Sequence, residues 1–251
     1  MEIKKILVSQ PKPTSEKDPY FELAEKNNLL IDFRKFIQIE GVSLKDFRQQ
    51  KIDILEHTAV IFTSRTAIDH FFRICSELRV AVPENMKYFC ISEAVAFYLQ
   101  KYIVYRKRKI FFGNSDFSEL MGIMKKHAEE KFLVPLSDPH KKEIPRLLDK
   151  NKYKYTKAIL YQTISSDLSD LNEMNYDMLV FFSPSGIKSL FDNFPEFKQN
   201  GIKIASFGPN TAKAAKEAGL RLDVKAPTPE APSMTMAIEK FIMSNGNGKA
   251  K

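Results

Sequence analysis

Two turns in the second half of the sequence have residue types that can bind anions where a helix begins. They lie at 181–186, around Ser183, and at 207–212, around Gly208, and a proline follows each of these two residues. Serine is favoured at the N-cap, proline at the first helical position, and a helix start presents unpaired N–H groups to anions. Taken one at a time, these residues are interpreted as ordinary helix caps, and anion binding at both turns, with Thr211 as a cap or a ligand contact, is the functional alternative.

No motif for nucleotide, hydrolase or metal chemistry accompanies these turns. The sequence has no G-x-G-x-x-G, G-x-x-x-x-G-K-[ST] or G-x-S-x-G, and no acidic pair at a spacing typical of acid–base catalysis. The scattered histidines His57, His70, His127 and His140 are predicted to be surface or packing residues. An enzyme with this sequence would work by positioning its ligand and stabilising charge, without a metal or nucleophile.

The formal net charge of +8, from 39 basic and 31 acidic residues, predicts an anionic partner: nucleic acid, phosphate or a polycarboxylate. Basic residues are densest at 101–109 and 141–157, where tyrosines are interleaved. Because no nucleic-acid-binding signature accompanies them, we interpret both stretches as solvated surface.

Cysteine usage and hydropathy indicate a cytoplasmic protein. Cys75 and Cys90 stand outside any paired motif and are predicted to be buried small hydrophobes. The apolar start at 1–8 turns polar at Ser9, too soon for a signal peptide, and no apolar run approaches ~18 residues.

The elements that must position the two turns form an internal repeat. Each half of the chain has three apolar segments that are each followed by a helical pattern. These strands are 60–64, 87–91 and 110–112 in the first half, and 178–182, 202–207 and 222–224 in the second, where the last helix is predicted from Pro229 to Ile242. The pattern predicts a duplicated, doubly wound parallel α/β module.

Two further segments, 3–38 and 131–164, each show a strand, a helix and a second strand, with Leu30 to Ile39 as one of these strands. Each trio needs such a segment to complete a sheet of about five strands. The sequence alone leaves the assignment open. If the amino-terminal segment completes the carboxy-terminal trio, one lobe is discontinuous. The end at 244–251 is predicted to be frayed.

Several ordered segments make the chain resemble the uroporphyrinogen-III synthase family along nearly its whole length. They are Phe62-Thr63-Ser64 with Ala67; Val134-Pro135; Leu160-Tyr161-Gln162-Thr163; Phe182-Ser183-Pro184-Ser185-Gly186; and Gly208-Pro209-Asn210-Thr211-Ala212 leading to Ala226-Pro227-Thr228-Pro229.

The resemblance implies two doubly wound lobes joined by a two-stranded linker. It assigns 1–36 with 170–251 to a discontinuous lobe, 42–158 to the other lobe, and 37–41 and 159–169 to the linker, with the active site between the lobes. The implied lyase reaction eliminates water from linear hydroxymethylbilane and closes the ring with inversion of the last pyrrole, ring D, in heme biosynthesis. No cofactor is implied, and the upstream hydroxymethylbilane synthase is a candidate partner.

The resemblance also implies the site residues. Tyr161 matches the family's linker tyrosine, which is placed to hydrogen-bond the departing hydroxyl. Positions that bind the substrate's carboxylate arms, largely through the backbone, match Thr63, Ser64, Ser183, Ser185, Gly186, Gly208, Asn210 and Thr211.

The sequence departs from the family pattern in one lobe. Leu136-Ser137-Asp138 replaces an Arg-Gly pair, and no glycine occurs near Ile91. Arg65, Lys141 or Lys142 could supply the missing positive charge, and we count Arg65 among the substrate-binding residues. A catalytically weak or inactive tetrapyrrole- or anion-binding protein is the alternative, and a nucleic-acid-binding module is a third hypothesis.

Overall fold

The structure is a computed structural model that describes residues 3–140, 142–171 and 175–246. The chain divides into two compact units. Unit 1 comprises Met1–Gln38 and Ile164–Lys251, and unit 2 comprises Ile39–Thr163. Lys141 and residues 247–251 of the chain end, both named in the sequence-based predictions, lie outside the described residues.

Strands and helices alternate along most of the chain. The strands are β1 Lys5–Val8, β2 Leu30–Phe33, β3 Ile37–Gly41, β4 Ala59–Phe62, β5 Lys87–Cys90, β6 Ile110–Phe112, β7 Phe132–Asp138, β8 Tyr155–Ser165, β9 Met178–Phe181, β10 Lys203–Phe207 and β11 Val224–Ala226. The helices are α1 Pro19–Asn27, α2 Leu44–Gln49, α3 Arg65–Leu78, α4 Glu93–Tyr98, α5 Phe117–Met124, α6 Glu143–Lys150, α7 Pro184–Asn193, α8 Pro209–Glu217 and α9 Met234–Gly246. None of the helices in the described part of the chain is long and apolar enough to cross a membrane.

The sheet of unit 1 joins the two ends of the chain. Its five strands run in the order β11-β10-β9-β1-β2, and β1 pairs in parallel with both β2 and β9. The carboxylate of Asp177 accepts hydrogen bonds from the backbone N–H groups of Lys4 and Lys5, each at 2.8 Å. The amino-terminal segment thus completes the carboxy-terminal trio, and the predicted discontinuous lobe is confirmed.

The sheet of unit 2 contains the other trio. Its six strands run in the order β3-β8-β7-β4-β5-β6, and the pairs from β8 to β6 are parallel. Helices cover both faces, so the whole of β4 is buried and reads as a continuous apolar run. β3 and β8 carry the chain across the unit boundaries at Gln38/Ile39 and Thr163/Ile164.

The two sheets share one strand order. A strand pair is followed by a trio in both, as β2-β1 then β9-β10-β11 in unit 1, and as β8-β7 then β4-β5-β6 in unit 2. The predicted duplication of a doubly wound α/β module is therefore confirmed.

Three predicted elements differ from the structure, and the first is the strand expected at 222–224, which is β11 at Val224–Ala226. The strand expected from Leu30 to Ile39 is two strands, β2 and β3, which belong to different sheets. The last helix begins at Met234 and not at Pro229, because Thr228 and Ala231 close a turn through reciprocal backbone hydrogen bonds of 3.0 and 3.1 Å. The hydroxyl of Ser233 then accepts from the backbone N–H of Met236 and caps the helix.

Candidate functional site

Ligands of doubly wound sheets bind outside the carboxyl ends of the strands, where the strand order reverses. In unit 2 this point lies between β7 and β4. An open cavity of about 740 Å³ occurs there within unit 2. Its lining includes Thr63, Asp116, Ser137, His140, Glu143 and Tyr161.

Tyr161 reaches this cavity because of an irregularity in the sheet. Along β8, Ala158 and Leu160 pack in the core against α3, whereas Ile159 packs on the opposite face. Regular alternation would send Tyr161 to the face of Ile159. A register shift opposite Leu136/Ser137 instead pairs Ser137 with Tyr161, and Tyr161 joins the cluster of Ala158 and Leu160. The bulge therefore turns the tyrosine towards α3.

The hydroxyl of Tyr161 lies beside the serine that caps α3. Its oxygen lies 3.3 Å from Oγ of Ser64, and either hydroxyl can be the donor. Ser64 is the N-cap of α3, where its Oγ accepts from the backbone N–H of Ala67 at 3.0 Å. Because Oγ already accepts this bond, its own proton is free to point at the tyrosine oxygen.

Thr63 and Arg65, the neighbours of Ser64, have different surroundings. Thr63 lines the cavity beside Tyr161. Arg65 is exposed, and its guanidinium lies 5.5 Å from the ring centroid of Tyr98. The described lining of the cavity includes the carboxylates of Asp116 and Glu143 and the imidazole of His140, and it includes neither Arg65 nor Lys142.

The corresponding point in unit 1 lies between β1 and β9, where α7 begins. Oγ of Ser183 accepts from the backbone N–H of Gly186 at 3.1 Å, which confirms Ser183 as the predicted N-cap. A Cβ added to Gly186 would lie 3.7 Å from Oγ of Ser9, which follows β1. Ser185 is half-buried in the first turn. Ser183, Ser185 and Gly186 thus lie together at one helix start, as expected.

The second helix start of unit 1 follows β10. Gly208 has φ of 86°, a conformation that favours glycine, and nothing lies within 4 Å of an added Cβ. Asn210 is exposed in the first turn of α8. Gly208, and not Thr211, is the N-cap, so the predicted capping role of Thr211 is wrong. Thr211 as a whole residue, backbone included, is only 2 % exposed.

One histidine–carboxylate group elsewhere in unit 2 has the spacing of a cation site. Ligand atoms of His127, Glu129 and Glu130 lie within 4.8 Å of one another. The ammonium of Lys87 lies 2.5 Å from Glu130 and 3.3 Å from Nδ1 of His127. The lysine supplies positive charge there. Burial raises the pKa of Glu130, but the hydrogen bonds from Lys87 and Thr58, together with the charge of Lys87, keep it below its usual value.

Sequence reasoning missed several residues near Tyr161. His70, interpreted as a surface or packing residue, stacks on the Tyr161 ring with centroids 5.1 Å apart. His140 and Ser137 line the cavity, and Nδ1 of His140 is buried without a hydrogen-bond partner. The bulge in β8 and the pairing of β7 with β4 bring these positions together, and no local sequence pattern indicates either feature.

The comparisons with known proteins agree with this architecture. The chain is similar to uroporphyrinogen-III synthetase from Helicobacter pylori, at 18% identity and a TM-score of 0.61, over 96% of this chain and 100% of that one. It is also similar to a mutant uroporphyrinogen III synthase from the extremely thermophilic bacterium Thermus thermophilus, at 14% identity and a TM-score of 0.55, over 96% and 99% of the chains. At these identities the likeness shows the fold. No curated protein sequence matches the chain.

The family is shown by the sequence itself. The family model described as uroporphyrinogen-III synthase HemD matches residues 24–236, well over half of the chain. That range includes both helix starts of unit 1, the cavity of unit 2 and Tyr161. The chain therefore belongs to the uroporphyrinogen-III synthase family, HemD.

Proposed function

We propose that the chain is a working uroporphyrinogen-III synthase in which Tyr161 assists the loss of hydroxyl from hydroxymethylbilane. The reaction breaks the bond from carbon to the terminal hydroxyl, which leaves as water, and then closes the ring with inversion of ring D. The observation that carries the proposal is the Tyr161 hydroxyl, which lies at the cavity of unit 2 with a hydroxyl neighbour at 3.3 Å.

Ser64 orients the hydroxyl proton of Tyr161. When the Ser64 proton points at the tyrosine oxygen, the phenol proton is free to be donated to the departing hydroxyl. Accepting one hydrogen bond also makes a hydroxyl a better donor of the next one. Ser64 thereby serves both as the cap of α3 and as the group that orients the phenol proton.

The carboxylate arms of the substrate are the proposed ligands of the helix starts. Backbone N–H groups at a helix start bind anions without a charged side chain, which suits a site with few free cations. The proposed binding residues are Ser183, Ser185, Gly186, Gly208, Asn210 and Thr211 in unit 1, and Thr63, Ser64 and Arg65 in unit 2.

Three further assignments stay predictions. The folding domains are proposed at 1–36 with 170–251 and at 42–158, with 37–41 and 159–169 as linker strands. The cytoplasm is the proposed compartment, which agrees with the buried and unpaired Cys75 and Cys90. The upstream hydroxymethylbilane synthase is the proposed partner that delivers the substrate.

Replacing Tyr161 by phenylalanine tests the proposed role. Tyr161→Phe keeps the ring and its packing but removes the donor, so we expect kcat to fall about tenfold or more with the fold retained. Production of the type III isomer, separated from type I by chromatography, is the measurement.

A tyrosine on the same strand provides the matched control. Tyr155→Phe also removes one hydroxyl from β8, but that hydroxyl donates to Asp149 at 2.9 Å and does not line the cavity. It should cost about 1 kcal/mol of stability and leave kcat unchanged. Equal turnover in Tyr161→Phe and the wild type would reassign Tyr161 to packing.

A further inference from the structure

The ring of His70 lies flat against the ring of Tyr161. The two centroids are 5.1 Å apart and the planes are 16° from parallel. His70 lies on α3 and Tyr161 on β8, so the contact joins the helix that begins at Ser64 to the strand that carries the tyrosine. A flat neighbour restricts rotation of the tyrosine ring and leaves its hydroxyl uncovered at the cavity.

Arg73 fixes the imidazole in turn. Its Nε donates to Nδ1 of His70 at 3.2 Å, and its Nη1 donates to the Glu77 carboxylate at 2.7 Å. Its Nη2 donates to the carbonyl oxygens of Val42, at 2.8 Å, and Leu160, at 3.2 Å. Because guanidinium is planar and rigid, these bonds define where the imidazole stands relative to the residue that precedes Tyr161.

The sequence leaves space for this guanidinium. A Cβ added to Gly41 would lie 2.8 Å from Nη2 of Arg73 and 2.9 Å from its Cζ. A side chain at position 41 would therefore push the guanidinium away from its carbonyl partners. Glycine at the end of β3 allows the arginine to pass close to the backbone.

The hydrogen bond from Arg73 also determines the tautomer of the His70 imidazole. Arginine only donates, so Nδ1 must accept and the ring proton must lie on Nε2. Burial, together with the charge of Arg73, lowers the pKa of His70 below its ordinary value, although Asp69 opposes this effect. A neutral ring contributes shape and stacking to the site without adding a charge.

We propose that His70 is a positioning residue for the reaction: its imidazole, fixed by Arg73, holds the Tyr161 ring so that the hydroxyl faces the cavity. The proposal rests on the proposed function, since Tyr161 must first be the group that assists departure of the hydroxyl. Nothing in the family resemblance assigns a role to His70, Arg73 or Gly41.

Two substitutions test the contribution of the His70 ring and that of its hydrogen bond separately. His70→Phe keeps a flat ring against Tyr161 but gives Arg73 no acceptor, whereas His70→Asn keeps an acceptor and removes the ring. We expect kcat of the Asn variant to fall about tenfold with KM within about twofold, because small misplacements of a catalytic group slow the chemistry. The Phe variant should retain kcat to within about threefold. The reverse order would overturn the proposal, because it would mean that His70 serves only as an anchor for Arg73.

Gly41→Ala displaces the guanidinium without altering His70 or Tyr161, and it should lower kcat by up to about threefold, as His70→Phe does, because both variants keep the flat ring and lose its bond to Arg73. Unchanged kcat in this variant would contradict the role of Arg73. His57→Asn is the control: it removes another imidazole of unit 2, one whose Nδ1 lies 2.8 Å from the Asp53 carbonyl oxygen, and it should leave kcat unchanged. Thermal unfolding and the tyrosine near-ultraviolet circular dichroism of each variant show whether the fold is kept.

A double substitution distinguishes the role of His70 from that of Tyr161. In a Tyr161→Phe background, adding His70→Asn should cause no further loss of kcat, because there is no hydroxyl left to position. Equal losses in both backgrounds would overturn the role of His70 while leaving that of Tyr161 intact. If Tyr161→Phe alone has wild-type turnover, the role proposed for Tyr161 fails first, and the inference on His70 fails with it.

Discussion

At the scale of single residues, the candidate site is built at helix starts, where a serine side chain accepts a hydrogen bond from one backbone N–H group. Ser64 and Ser183 occupy equivalent helix starts in the two units, and each accepts from a backbone N–H three residues later. What differs is the polar group nearby. The Tyr161 hydroxyl lies 3.3 Å from Oγ of Ser64, whereas in unit 1 a Cβ added to Gly186 would lie 3.7 Å from Oγ of Ser9. The same capping geometry thus lies beside the proposed reacting group in unit 2 and at the proposed anion contact in unit 1.

Alanine substitutions at two glycines test substrate binding and stability separately. A Cβ on Gly186 would meet the Phe181 ring at 3.5 Å, an ordinary contact, so Gly186→Ala should keep or raise stability by up to about 1 kcal/mol. If a carboxylate arm approaches the backbone there, KM for hydroxymethylbilane should rise. Gly208→Ala must hold φ at 86° and should lose about 1–2 kcal/mol.

Thermal unfolding and steady-state kinetics measure the two effects. A loss of more than about 1 kcal/mol in Gly186→Ala would exceed the ordinary range of a tolerated helical alanine and would contradict the geometry. An unchanged KM would remove Gly186 from the binding residues.

The two cysteines offer a test of burial. Burial raises the pKa of both Cys75 and Cys90 to about 12, so the thiols stay protonated at pH 8. A thiol-reactive disulfide reagent should therefore find no reactive group in the folded protein at pH 8 and both groups after denaturation. Rapid reaction of the native protein would show that one of these thiols is accessible.

At the scale of elements, one carboxylate adds two hydrogen bonds to the pairing of β1 with β9, which joins the two parts of the discontinuous sheet. Asp177→Ala leaves the N–H groups of Lys4 and Lys5 without their acceptor, and it should lower the free energy of unfolding by about 1–3 kcal/mol. Asp170→Ala removes only an exposed ion pair to Arg34 and should cost less than about 1 kcal/mol. Urea denaturation compares the two, and equal losses would mean that Asp177 is an ordinary surface acid.

Apolar periodicity predicted most of these elements, including the duplicated trio of strands, because strand and helix periods are local properties of the sequence. It failed at the break between Phe33 and Ile37, since continuous β-forming residues do not reveal which sheet each strand joins. It also placed the start of α9 too early, because the turn at Thr228 to Ala231 depends on backbone bonds and not on hydropathy.

The candidate site was less predictable than the fold. The capping role of Ser183 could be found from turn chemistry, and Tyr161 from the family resemblance, whereas Ser64 was predicted as a strand residue and is the N-cap of α3. The stacking of His70 could not be found, because it needs the bulge that turns Tyr161 towards α3. A pairing irregularity of one residue arises from the whole sheet, and a single sequence gives no local sign of it.

At the scale of the whole molecule, the chain is one α/β module used twice. The shared strand order shows this, although the amino-terminal strand pair of unit 1 is separated in sequence from its trio. In unit 2 the strand pair instead follows its trio along the chain. The chain belongs to the uroporphyrinogen-III synthase family, and the helix starts at the strand ends of each unit are its proposed sites for the substrate's carboxylate arms.

The net charge of +8 fits a substrate with many carboxylates. Several of the basic side chains, however, have partners within the protein. In the basic stretch 101–109, Lys101 pairs with Asp69, Arg106 pairs with Glu84, and Lys109 bonds the Glu84 carbonyl oxygen. These local partners support the prediction that the stretch is a solvated surface and not a nucleic-acid interface.

The isomer of the product tests the central claim most directly. Purified protein is given hydroxymethylbilane made by its upstream synthase, and the type I and type III uroporphyrinogens are separated and compared with a heat-denatured sample. Because spontaneous closure does not invert ring D, we expect the type III isomer only with the native protein. Type I alone, formed at the rate of the denatured control, would contradict the account and leave a non-catalytic tetrapyrrole- or anion-binding protein.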